Sequence, residues 1–125
     1  MAKPPQVEVR VPRVFCDEAG SFGNPLGVVM DGPAVVADDR QALARHLGYS
    51  ETVFVDDAPS GRIAIYTPEV ELPFAGHPCV GTAWMLRDAG FEVGALRPPA
   101  GKVDVRFEGE TTWICLLYTS PSPRD

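Results

Sequence analysis

Val7, Val9 and Val11 alternate with Glu8 and Arg10, the period-two pattern of a strand with one buried face. The pattern runs on past Pro12 to Val14 and Phe15. A glycine-rich loop, Gly20 to Gly27, leads into a second short strand over Leu26 to Met30, closed by the turn Asp31-Gly32-Pro33. Leu43 and Leu47 stand four apart on one face of a helix that Asp38 or Asp39 can cap and Gly48 stops. Glu51 to Val55 and Arg62 to Thr67 read as strands joined by a loop from Asp56 to Gly61. Pro78 suits the first position of a second helix, where its missing N–H costs nothing, and Gly90 ends that helix after Ala89. Val103, Val105 and Phe107 alternate with Asp104, Arg106 and Glu108, and Thr111 to Ile114 begin a last strand.

The second helix decides the architecture. Cys79, Val80, Ala83, Trp84, Met85 and Leu86 leave it almost no polar face before Arg87. A helix that is apolar all round is buried all round. Strands surrounding one buried helix predict an α+β domain with a sheet curled about it. No repeat or internal linker divides the chain. Residues 1–6 read as a leader and 7–114 as one domain. Cys115 to Asp125, CLLYTSPSPRD, suits no core element and resembles a sequencing adaptor translated in frame. On that reading the native sequence continues differently after Ile114. The alternative is a genuine proline-rich tail.

Composition narrows the function. Of the 125 residues 45% are hydrophobic and 22% charged, the balance of a soluble globular protein. The net charge of −6 argues against nucleic acid as a partner. No apolar run spans a bilayer and no secretory signal opens the chain, so no membrane role is expected. Cys16, Cys79 and Cys115 form no paired framework, which fits a reducing cytoplasm.

The chemistry-bearing residues concentrate in LPFAGHPCVGTAW, Leu72 to Trp84, and in Ser50-Glu51-Thr52. No metal site is expected. Zinc needs three or four ligands, and Thr82 stands where a P-C-x-x-C signature would place its second cysteine. Neither glycine cluster carries the lysine of a phosphate loop. An anion site survives: Gly76-His77-Pro78 opens a helix whose first N–H groups and dipole favour a carboxylate or enolate oxygen. His77 either adds a hydrogen bond or a proton there, or only packs at the helix start. Glu51 opens an apolar strand; partly desolvated, such a carboxylate shuttles protons near neutrality, whereas a solvated one does nothing. Cys79, inside the buried helix, reads as a small hydrophobe.

Three segments then align in order: GNPLGVV (Gly23 to Val29), LARHLGYSETVFV (Leu43 to Val55) and IAIYTPEVELPFAGHPCVGTAWML (Ile63 to Leu86). Together they resemble the amino-terminal half of the phenazine-biosynthesis PhzF-like family of isomerases. The resemblance implies a diaminopimelate epimerase-like fold, in which two domains each wrap a curved, mostly antiparallel sheet around a central helix and share a cleft. It implies a homodimer, a small carboxylic-acid substrate, and neither metal nor organic cofactor. Glu51 matches the family's general acid/base, which moves a proton between two carbons and shifts a double bond. His77 matches a second catalytic position. Asn24, Gly76 and Pro78 match substrate-binding positions. An aspartate and a serine of the second domain complete the family site, so this chain by itself is expected to be inactive and to expose apolar surface near His77. Cysteine-dependent racemases of the wider fold carry their thiol where Ala75 stands. The alternatives are an epimerase or racemase of the same fold, and a non-catalytic small-molecule binder.

Overall fold

A computed structural model describes residues 8–14, 24–108 and 111–116. Its centre is a five-stranded sheet in the order β1-β4-β5-β6-β7. These strands are β1 (Val9–Arg10), β4 (Gly27–Val29), β5 (Thr52–Asp57), β6 (Arg62–Tyr66) and β7 (Glu71–Leu72). β2 (Arg13–Val14) and β3 (Asn24–Pro25) form a separate pair, and β8 (Ala95–Leu96), β9 (Val103–Glu108) and β10 (Thr111–Leu116) form a third sheet. β4 and β5 are parallel; the other paired strands named here are antiparallel. A parallel pair needs a crossover, and α1 (Ala37–Leu47), entered through a 3-10 turn at Gly32–Ala34, supplies it.

The central sheet is buried on both faces. Val28, Val53, Val55, Ile63 and Ile65 pack with Cys79, Ala83, Met85 and Leu86 of α2 (Gly76–Asp88) and with Leu96 and Val103. Val29, Phe54, Ala64 and Tyr66 turn the other way and pack with Val35, Ala44 and Leu43. Hence β5 reads as a continuous apolar run rather than an alternating one. A parallel bridge between Arg62 and Arg97 joins the edge of β6 to the end of β8, so the sheets follow one another around α2. Gly61 permits this junction. Its φ is +78°, and a Cβ there would overlap the Ala95 carbonyl oxygen.

Several expected boundaries move. The first strand breaks at Pro12, which has no N–H for a ladder; β1 and β2 lie in different sheets, and the Pro12 carbonyl accepts the Leu26 N–H at 2.9 Å. Asn24–Pro25 pairs as a strand inside the expected loop. Val36, not an aspartate, caps α1; Asp38 and Asp39 fall in its first turn, where their charge suits the dipole, and Gly48 ends it in the left-handed conformation. α2 starts two residues early, with Pro78 third instead of first, a place that still asks no N–H of it. The helix is not buried all round: Trp84 is 45% exposed. β10 reaches Leu116; residues 117–125 lie outside the described part.

Candidate active site

Glu51 is placed by the strand that follows it. Val53 and Val55 point to α2 while Thr52 and Phe54 point away, so alternation turns Glu51 toward α2. Its carbonyl accepts the Gly27 N–H at 3.2 Å, tying the entrance of β5 to β4. Space at 27 is tight: a Cβ would stand 3.0 Å from the Tyr49 ring and 3.3 Å from Thr52 Oγ1.

His77 is placed by α2. Ala75 is the extended N-cap, with no side-chain capping bond, and Gly76 and His77 are the first two helical residues. Helix geometry leaves the first-turn N–H groups without acceptors inside the helix, and Pro78 contributes none. A Cβ on Gly76 would make only an ordinary contact, 3.9 Å from Ile114 Cδ1. Nothing in the protein's own packing demands a glycine there, whereas close approach of a ligand to the backbone does favour one.

The two elements bring His77 Nδ1 to 2.9 Å from Glu51 Oε1, with the side chains only 16% and 19% exposed. The approach is close but not well directed: Oε1 is buried and accepts no aligned hydrogen bond among the described residues. The carboxylate keeps lone-pair capacity for another proton. An imidazole, a carboxylate and the positive end of a helix dipole therefore meet at one corner. Such a corner can move a proton and hold an anion.

The remaining expected residues are placed unequally. Gly76 adjoins His77, and Pro78 is buried in the first turn. The Asn24 side chain lies outside the described part, although its backbone pairs with Val14. Apolar side chains near His77 are only partly buried. Phe74, Ala75 and Ile114 pack against the main core there, and the exposed tryptophans, Trp84 and Trp113, sit further along α2 and on β10. Two hydroxyls went unnoticed in the sequence. Thr52 and Thr82 are fully buried, and among the described residues their Oγ1 atoms have no hydrogen-bond partner. A hydroxyl inside an apolar helix was the available signal for Thr82.

Cys79 is buried, and burial pushes its thiol up to about 12, against a smaller opposing hydrogen bond at Ala75. It stays protonated at neutral pH despite the helix dipole. In the folded protein at pH 8, iodoacetamide should label the exposed Cys115 and leave Cys79 unlabelled until denaturant is added. Peptide mass spectrometry reads this directly, and prompt native-state labelling of Cys79 would contradict its burial.

The family model described as phenazine biosynthesis-like protein (PhzC-PhzF) matches residues 13–123. An uncharacterised isomerase of Mesorhizobium japonicum is 49% identical over 77 residues, covering 58% of this chain and 26% of that protein. The trans-2,3-dihydro-3-hydroxyanthranilate isomerase of Pseudomonas chlororaphis is 45% identical over 67 residues, covering 51% and 24%. Among solved structures, a PhzF-family phenazine biosynthesis protein of Bacillus anthracis superposes with a TM-score of 0.71 at 27% identity, over 86% of this chain and 39% of its own. A predicted epimerase of Pseudomonas aeruginosa superposes with a TM-score of 0.70 at 29% identity, over 87% and 42%. The chain thus spans about a quarter of the length of these two curated relatives and about two-fifths of the two solved chains.

Proposed function

Because the chain belongs to the PhzC-PhzF family of phenazine biosynthesis-like proteins, we propose that it supplies the acid/base wall of an isomerase acting on a small carboxylated substrate without a cofactor. The observation that carries this reading is the 2.9 Å contact of Glu51 with His77 at the start of α2. The substrate carboxylate sits against the N–H groups and dipole of that helix. The Glu51 carboxylate takes a proton from one carbon, and the electron pair of that C–H bond moves into a conjugated, enolate-like anion. The same carboxyl returns the proton at a second carbon, shifting the double bond with no net change of charge. His77 orients the carboxylate and steadies its charge. Asn24, Gly76 and Pro78 shape the substrate's end of the site. In the whole enzyme, a second domain closes the cleft and the protein works as a homodimer.

The relative from Pseudomonas chlororaphis names the first compound to try, trans-2,3-dihydro-3-hydroxyanthranilate. Turnover by the full-length enzyme in D2O, followed by NMR, should show the double bond moved and deuterium at the receiving carbon only to the extent that Glu51 exchanges with solvent. Inversion at a single carbon without a double-bond shift would favour the epimerase reading, which the similarity to a predicted epimerase also suggests. Binding with no exchange on any small unsaturated acid would reduce the protein to a binder.

A further inference from the structure

We propose a second, separate oxyanion site on the α1 face of the central sheet, held between Arg62 and Arg97. The two residues are partners in the parallel bridge that joins β6 to the end of β8. Arg97 N–H donates to the Gly61 carbonyl at 2.7 Å, and Ile63 N–H donates to the Arg97 carbonyl at 3.3 Å. Both arginines line one groove of about 660 Å³, together with Ser60, Tyr66 and the first residue of α1, Ala37.

Two like charges facing each other across a bridge repel. Carboxylates border the pair: Asp56 and Glu71 line the groove, and Asp57 is the partner of Arg62 across the β5–β6 ladder. Asp56 is held by Arg40 at 2.6 Å. Asp57 accepts the Ser60 N–H at 3.1 Å. Glu71 faces the Tyr66 hydroxyl. Among the described residues neither Arg62 nor Arg97 makes an ion pair. The chain carries a net charge of −6, so this cationic pair runs against its overall charge. A left-handed glycine, Gly61, is what lets the two backbones approach closely enough to set the arginines side by side.

The groove is distinct from the acid/base corner. Ala64 and Tyr66 turn to the α1 face with Arg62, whereas Glu51 turns to α2. Paired guanidinium forks recognise planar or tetrahedral oxyanions through bidentate hydrogen bonds. The shared ligand chemistry is a carboxylate or phosphate group, on a molecule small enough for the groove.

Titrating inorganic phosphate, and separately succinate, into the full-length protein at matched ionic strength tests this by calorimetry and by thermal melting. Saturable binding of one anion to one site is expected, with phosphate marking a phosphorylated ligand and succinate a dicarboxylate. Arg97→Gln and Arg62→Gln should each weaken that binding at least tenfold, while His77→Gln leaves it unchanged. In anion-free buffer Arg97→Gln should melt no lower than the parent, since a repulsion is removed. With the anion present the parent should melt higher. Binding lost only in His77→Gln would place the anion at α2 and overturn the proposal. So would a response no larger than that to matched chloride, or a variant that melts lower in both buffers.

Discussion

Glu51→Gln in the full-length enzyme is expected to lower kcat/KM on the order of a thousandfold or more, the upper range for removing a general acid/base. Glutamine keeps the shape of the side chain, and its amide oxygen can still face His77 Nδ1, now 2.9 Å from Glu51 Oε1. It cannot take up a proton from carbon. The melting midpoint should therefore stay near that of the parent while deuterium exchange into the product disappears. Retained turnover in a folded Gln variant would remove Glu51 from the chemistry. A collapse of the fold would instead reveal that the contact with His77 holds α2 to β5.

The corner containing Glu51 was legible because it rests on short-range signals. A carboxylate immediately before an apolar strand, and Gly-His-Pro immediately before an apolar helix, each state their own local geometry. That the two meet was carried by the family resemblance. Periodicity alone cannot pair a strand end with a helix start 26 residues away. Strands β5, β6 and β9 were read correctly because each exposes an apolar run or alternation of five or six residues. The two-residue strands β3, β7 and β8 were not, since two residues carry no period. The cap of α1 was misassigned for a physical reason. Aspartate is favoured at the cap and in the first turn alike, and the dipole alone satisfied Asp38 and Asp39. Trp84 defeats the rule of an all-apolar helix because that rule counts residues and ignores which of them has an element to pack against. The groove between Arg62 and Arg97 was invisible for a similar reason: 35 residues separate two arginines that one glycine brings together.

Arg40→Met is the substitution expected to hurt stability most, by about 3 kcal/mol in urea unfolding, the lower end for stranding one partner of a buried ion pair. Arg40 Nη2 and Nη1 reach the two Asp56 oxygens at 2.6 and 3.2 Å. Nη2 also donates to the Gly32 carbonyl at 2.8 Å, and Nε donates to that of Val35 at 2.9 Å. Its guanidinium lies 4.9 Å from the Phe54 ring centroid. With side chains 12% and 20% exposed, the pair is screened little by water. One residue of α1 thus fastens the 3-10 turn, the crossover and the far end of β5. Methionine restores the bulk over Phe54 and isolates the polar loss, which is a large share of a stability of about 5–15 kcal/mol. The double variant Arg40→Met with Asp56→Leu separates the causes. If the cost is a stranded Asp56 charge, the second change should recover much of it. If it comes from the bonds lost at the Gly32 and Val35 carbonyls, little should return. The outcome bears on catalysis as well, because Asp56 stands near the end of the strand that begins at Glu51's neighbour. A β5 loosened at that end loses the register that aims Glu51 at His77, so Arg40→Met should lower activity and stability together, whereas Glu51→Gln lowers activity alone.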